Sequence, residues 1–502
     1  WGASCDAHHA TAPHPDGAGA LAAMQTALRR AGLAATAIDY VNAHGTGTRD
    51  NDLAESKALK ALFGERVPPF SSTKRTFGHA LAASGAIEAV VCIEALRRQQ
   101  LPPNVGFTET DPVLGIQPVT ALRPAKLTHV MSNSFGFGGN NAVLIFSTPE
   151  TIPTTRAPQP GPVAITGLGL IGPGAVTVRE IEAPLPPGKV SAYACGPLAD
   201  AASLSPSQRR RLSRIIQMGI LAARRSHTTD PALRVAIAMG TGYGCVEEGA
   251  MFLENMIAKD EREPMPSRFP GSVHNAPAAQ IAIDLGAQAM NSAPTMGEIS
   301  FEGALWQGLR QLVTDEADCA LVGAVDELNK YPLAVGQRWG FWTEQTRPGE
   351  GAMVARLVRA GSRRGGEADA PATTLNPPPH VAGYLAQVTT VRLGRYRRPF
   401  NAKREVDWIA AAVDLATVAI FLSGAQGWPV LEDDYRSVAA ELSARAGRTI
   451  EHQTYKQLCG EFHSASAFGF SVAVDLVQRI RSGVLLYTLS PRGGKALCCV
   501  QP

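Results

Sequence analysis

The sequence contains no run of eighteen apolar residues, which excludes a conventional membrane-spanning helix. It also lacks an excess of either charge. A formal net charge of +3 over 502 residues is too near neutral to point to nucleic acid. Its eight cysteines, at 5, 92, 195, 245, 319, 459, 498 and 499, form no CxxC pair and no Cys/His cluster at metal-ligand spacing. That pattern argues against zinc and for a reducing compartment, the cytoplasm, with most thiols buried and unlinked. The chain opens on Trp1 and shows no basic-then-apolar leader, so no signal peptide is expected and the N-terminus is expected to be cut. Apolar content of 45% and charged content of 18% are ordinary for a globular protein. The length predicts two to four structural units.

Two stretches divide the chain. "STPETIPTTRAPQPGP" (147–162) is rich in Thr and Pro and reads as a linker, and "AGSRRGGEADAPATTLNPPPH" (360–380) has the same character. The first block alternates helix and strand patterns. "GALAAMQTALRRAGL" has helix composition, "IDYVNA" reads as a strand, and "GAIEAVVCIEALRRQ" is apolar nearly all round, as for a helix buried between layers. "THVMSNS" and "NAVLIF" read as strands flanking a tight "FGFGG" turn, completing an α/β layered pattern.

The last block repeats this order. "YKQLCGEFHSASA" (455–467) matches "TKRTFGHALAASG" (73–85) without a gap: Lys456 on Lys74, Gly460 on Gly78, Ala465-Ser466 on Ala83-Ser84. "ATVAIFLSGAQG" stands where "IDYVNAHGTGT" stood, which places Ser423 on His44, and "LLYTLSPRGGKALCCV" stands where the two-strand segment stood. The repeat is of one structural half and is far too long for a solenoid. One position differs in kind, since Glu461 falls on His79. His463 lies two residues further, roughly 200° away if the helix has begun there, and is not expected to replace that imidazole.

"VAITGLGLIGPG" (163–174) contains a GxGxxG run, Gly167, Gly169 and Gly172. The dinucleotide fingerprint needs a helix to start there, but Pro173 and Gly174 follow, so the run is read as a glycine-rich turn.

Chemistry concentrates in the first block. His44 ends a strand and opens a loop of glycines and threonines, while His79 follows Gly78 just before the apolar helix. A helix N-terminus disfavours imidazolium there, so a neutral ring that donates a hydrogen bond is expected. Two neutral imidazoles aimed at one point suit a developing oxyanion, such as the enolate of a decarboxylating malonyl thioester. The Gly136–Gly139 turn offers backbone N–H groups for a second oxyanion.

"NAHGTGTRDNDLAE", "SSTKRTFGHALAASG" and "SNSFGFGGNNA" resemble the three signature segments in the C-terminal half of the β-ketoacyl-[acyl-carrier-protein] synthases, of the thiolase-like superfamily. The resemblance covers residues 1–147. It implies that His44 and His79 drive decarboxylation and condensation, that Lys74 organises the site with Glu55 as its partner, and that Phe137 gates it, with the backbone beside Gly138 forming an oxyanion hole. No metal or redox cofactor is implied. The family's nucleophile is a Cys on a strand-to-helix turn in the N-terminal half. Neither Cys5 nor Cys92 stands in such a place, so residues 1–147 carry half an active site.

Residues 162–360 and 381–502, joined by the 361–380 loop, together resemble a whole synthase of this family. "VAITGLGLIGPG", "QRRRLSRIIQMGILAA", "VAIAMGTGYG", "ADCALVGAVDEL" and "RPGEGAMVARL" follow the family's order. Where the family shows its Cys, this chain has "GEISFEGAL", with Glu298 at that place. With Ser423 and Glu461, all three catalytic positions of this unit are changed, as in the chain-length-factor subunits that pair with active synthases. The resemblance thus implies a thiolase-like layered αβαβα fold. It comprises one C-terminal half (1–147), a linker (148–161) and one complete degenerate unit. The expected activity is decarboxylative Claisen condensation of acyl and malonyl groups on acyl carrier protein, in fatty-acid or polyketide (aryl-polyene-type) synthesis, by a dimer with a ketosynthase. The alternative is a non-catalytic scaffold that binds carrier protein or a separate synthase. A thiolase would place a second Cys in its C-terminal half, and "FGFGGNNA" has none.

Overall fold

In the computed structural model the described residues are 1–149, 162–173, 178–184, 187–198, 200–227, 230, 232–343, 346–359, 384–425 and 429–502. Most of the 148–161 linker and the whole 361–380 loop lie outside them. The described residues fall into two compact units, those of Trp1–Ala157 with Ala282–Asn291, and those of Pro158–Ile281 with Ser292–Pro502. The grouping of Ala282–Asn291 with the first unit has no signature in the linear sequence.

The first unit is built on a five-stranded sheet in the order Gly2–Cys5, Asn140–Ser147, His129–Gly136, Tyr40–Asn42, Phe70–Ser71. The first three strands are antiparallel neighbours, and the last two join in parallel. Alternation along the strands sends successive side chains to opposite faces. Val41, Met131 and Val143 pack on Met24, Leu28 and Leu59 of the helices Ala18–Ala31 and Arg49–Phe63. Tyr40 and Val130 pack on Cys92 and Ala95 of the helix Ser84–Arg98 from the other side. That last helix departs from the expectation of burial all round. Its inner face holds Glu88, Cys92 and Ala95, while Val90 and Ile93 are 60% and 48% exposed on the outer one.

The second unit has one large sheet that contains this pattern twice, once over all five strands and once over the first four. The strands Ala386–Arg395, Gly494–Gln501, Gly483–Leu489, Val418–Ser423 and Glu451–Thr454 follow the first unit's order, with the same antiparallel and parallel pairings. Val163–Ile171, Gly351–Arg359, Cys319–Asp326 and Val235–Gly240 follow it again. Antiparallel pairing of Ala386–Val388 with Val163–Ile165 joins the two halves.

The first two glycines of the GxGxxG run lie in the strand Val163–Ile171 and have a packing role. A Cβ on Gly167 or Gly169 would lie 2.2 Å from the Ser226 carbonyl oxygen or 2.0 Å from that of Ala222, so glycine lets the helix Arg214–Ser226 sit directly on the sheet. Cys498 and Cys499 are both buried, because their strand has neighbours on both sides and is covered on both faces. Among the described residues no helix is long and apolar enough to cross a membrane.

Candidate active site

In the first unit the short helix Lys74–Phe77 follows the strand Phe70–Ser71 and ends at Gly78, whose φ of 76° is a conformation that glycine reaches without strain. The chain then turns through His79 before the helix Ser84–Arg98 begins. His44 leaves the end of the strand Tyr40–Asn42. The two imidazoles meet edge to face, with ring centroids 5.8 Å apart and an interplanar angle of 86°. His79 lies on a cavity of about 580 Å³ together with Lys74 and with Ala43 and Gly45, the two neighbours of His44.

Hydrogen bonding sets the state of each ring. The Leu81 N–H donates to His79 Nδ1 at 3.2 Å, and Ser84 Oγ is 3.1 Å from the same nitrogen. Nδ1 is therefore an acceptor, and the ring's proton resides on Nε2, available as a donor. His44 is buried and its Nδ1 has no hydrogen-bond partner. Burial, then the charge of Lys74, pull its pKa down to about 3, so it is neutral.

The buried Lys74 is held at two points, by the His44 carbonyl oxygen at 2.5 Å and by the Glu88 carboxylate. This corrects the expectation of a Lys74–Glu55 pair. Glu55 instead accepts from the His44 and Gly45 N–H groups, both at 2.9 Å, and from Asn133 Nδ2 at 3.1 Å. Those three donors satisfy it and fix the His44 loop, so its role is backbone positioning. Burial nonetheless pushes its carboxyl up against those hydrogen bonds. Glu88 and Asn133 were missed in the sequence. The signal for Glu88 was an acid on the inner face of an otherwise apolar helix, which needs a buried cation to face.

The Phe137–Gly139 turn links two antiparallel strands, with φ of 80° at Gly138 and 75° at Gly139. A Cβ on Gly139 would lie 2.8 Å from that of Asp6. The Gly138 N–H donates to the Ala10 carbonyl at 2.7 Å, so this group, expected to face a reaction oxyanion, is already engaged. Phe137 is 41% exposed.

In the second unit the matched segment folds alike. The helix Lys456–Cys459 ends at Gly460 with φ 78°, and the helix Ser466–Ile480 has the same 15-residue length as Ser84–Arg98. Glu461 thus stands at the place of His79, and it binds the buried Lys456. The strand register moves another assignment by one residue. Asn42 pairs with Ser71, and Leu422 pairs with Gln453, the residue that matches Ser71. Leu422 therefore matches Asn42, and His44 falls on Gly424 rather than on Ser423. A Cβ at Gly424 would be 3.3 Å from Lys456 Cε and 3.2 Å from the Tyr455 hydroxyl. Ser423 itself bonds His452 Nε2 at 2.8 Å.

Glu298 lies in the turn Gly297–Ile299 that opens the helix Ser300–Val313. The expectation about His463 rested on a helix that has not begun there. Residues before Ser466 are non-helical, and His463 Nδ1 reaches Glu298 Oε1 at 3.0 Å. Ser490 Oγ donates to Glu298 Oε2 at 2.5 Å, while Ser466 and Thr488 donate to Glu302 at 2.9 and 2.5 Å. The turn that holds Glu298 is thus closed by a polar seam between the two halves of this unit.

The seam has a pH signature. Burial opposes both charges, but mutual attraction and the Ser490 bond hold Glu298 below the usual carboxylate range and His463 above 6.5. Burial pushes Glu302 up to about 7. A raised histidine stabilises fully below 6.5 and loses that contribution as pH rises through its folded pKa. A raised carboxyl likewise weakens the fold as pH climbs from 4.5 to about 7. The thermal midpoint of this unit is expected to fall as pH rises above 4.5, and to go on falling as it rises above 6.5. Glu302→Gln should flatten the part of that slope below about pH 7, and His463→Gln the part above pH 6.5. Slopes unaltered in both variants would contradict the assignment.

Comparison with known proteins agrees with this architecture. The model of the β-ketoacyl synthase C-terminal domain matches residues 1–108, and that of the N-terminal domain matches residues 188–332. The chain is 44% identical over 154 residues to the mitochondrial 3-oxoacyl-[acyl-carrier-protein] synthase of Arabidopsis thaliana, covering 30% of this chain and 33% of that protein. It is 42% identical over 151 residues to 3-oxoacyl-[acyl-carrier-protein] synthase 2 of Vibrio cholerae, covering 29% of this chain and 36% of that protein. The chain thus spans about a third of the curated relatives it matches. Among solved structures, a PfaC keto synthase–chain length factor superposes on 100% of this chain and 61% of its own, with TM-score 0.74 and 18% identity. The ishigamide ketosynthase/chain length factor covers 68% of this chain and 99% of its own, with TM-score 0.54 and 16% identity. The fold is thiolase-like, and the chain belongs to the β-ketoacyl synthase family.

Proposed function

We propose that residues 1–147 are the C-terminal half of a β-ketoacyl-[acyl-carrier-protein] synthase. They are followed, after the linker, by a complete synthase-like unit of chain-length-factor type that does no acyl chemistry. The observation that carries this reading is the pair of imidazoles beside the 580 Å³ cavity, His44 neutral and His79 with its proton on Nε2.

The reaction proceeds from that state. As the malonyl Cα–carboxylate bond breaks, carbon dioxide leaves and the electron pair passes to the thioester oxygen as an enolate. Donors from two neutral rings stabilise that charge as it develops, and being neutral they do not trap the carboxylate of the ground state. The enolate carbon then attacks an acyl thioester on a cysteine supplied by an N-terminal half. A tetrahedral oxyanion forms, and the cysteine thiolate departs as the β-ketoacyl product is released. Lys74 fixes the His44 carbonyl, Glu55 fixes its N–H, and Phe137 covers the entrance. The carrier of the malonyl and acyl groups is acyl carrier protein, and the working assembly is a dimer with a ketosynthase.

The test pairs this chain with a cysteine-bearing N-terminal half taken from a curated relative and measures carbon dioxide released from a malonyl thioester. Release above the level of either partner alone is expected. Carrier-protein binding without any release would instead mark the chain as a scaffold.

A further inference from the structure

The repeat allows the two buried lysines to be compared atom for atom. In both units the interval from the lysine to the first residue of the long helix is the same, Lys74 to Ser84 and Lys456 to Ser466. The glycines between them share their φ, 76° at Gly78 and 78° at Gly460, and the helices end on left-handed residues, Gln99 and Arg481, both at φ 54°. Positions therefore correspond one to one. His79 corresponds to Glu461, and Glu88 corresponds to Phe470.

Both lysines are buried, and each is bound to one carboxylate. In the first unit that carboxylate is Glu88, on the helix. In the second unit the helix position holds Phe470, fully buried with its ring 5.2 Å from that of Phe301, and the carboxylate comes from Glu461 in the loop. Glu302, which also acts electrostatically on Lys456, is occupied by Ser466 and Thr488. A lone ammonium in such a place is strongly disfavoured, so a charged lysine that loses the helix carboxylate needs another to replace it.

We propose that Glu461 is a relocated counter-ion. The loss of the imidazole at this position and the loss of the helix carboxylate are a single exchange that keeps Lys456 paired. The second unit's site is thus rebuilt as a neutralised, closed interior, and restoring the histidine alone would break it. The inference rests on the shared backbone and the two ion pairs, not on the activity proposed for the first unit. Either can fail without the other.

The test is a double-mutant cycle on the full chain, following the unfolding midpoint of the second unit. Glu461→His strands Lys456 and is expected to lower the midpoint by about 5 °C or more. Phe470→Glu buries a second acid and should lower it as well. The double variant Glu461→His/Phe470→Glu recreates the first unit's arrangement and is expected to be more stable than either single variant. A double variant no more stable than the better single one overturns the proposal. If Glu461→His does not fold, Lys456→Met/Glu461→Leu removes both charges and is expected to fold. Failure of that variant too would show that Glu461 serves something other than Lys456, and would equally overturn it.

Discussion

His79→Ala, in a synthase completed with a cysteine-bearing half, is expected to cut carbon dioxide release from a malonyl thioester by about 10²–10³-fold, as loss of one oxyanion donor does. His44→Ala should do the same. The loss belongs in kcat rather than in KM, because the donors act on charge present only in the transition state. The two losses should fall short of multiplying, since both rings serve one oxygen. His44, held neutral down to about pH 3, predicts a rate with no protonation step from this residue between about pH 5 and pH 8. Steady-state kinetics of the two single variants and the double variant check all of this, and an unchanged rate in both single variants would remove the assignment.

Glu88→Leu is expected to destabilise the first unit by about 3–5 kcal/mol, because Lys74 would remain buried without a counter-ion. The same substitution releases the lysine that fixes the His44 carbonyl, so activity should fall even in the molecules that stay folded. Lys74→Met/Glu88→Leu removes both charges and should recover most of the stability but not the activity. Denaturant unfolding gives the first quantity and the decarboxylation assay the second. Recovery of both would mean that Lys74 has no positioning role, and recovery of neither would mean that charge burial is not the cause.

Much of this was legible because the repeat is written in glycines and apolar periodicity. Gly78 and Gly460 mark left-handed turns that no other residue makes cheaply, so they locate the two sites whatever has happened to the side chains between them. The strands Tyr40–Asn42 and His129–Gly136 are legible from their short apolar stretches beside turn residues, Tyr40-Val41 and Val130-Met131. Partnership across the fold was less legible. Glu55 and Glu88 are both buried acids within reach of the site, and only three-dimensional placement shows that Glu55 meets backbone N–H groups while Glu88 meets Lys74. The one-residue difference between Ser423 and Gly424 arises from strand register, which a sequence match without an anchoring side chain cannot fix. The bond from His463 to Glu298 is of the same kind, since it depends on His463 lying in a loop before the helix Ser466–Ile480 begins.

The account divides the chain into a working unit and a silent one. The measurement that tests this most directly compares two variants in the completed synthase, each assayed per folded molecule for carbon dioxide released from a malonyl thioester. The account predicts that His44→Ala/His79→Ala loses at least about 100-fold, and that Glu298→Gln stays within about twofold of the parent. Loss of activity in the Glu298 variant, or its survival in the histidine variant, would contradict it.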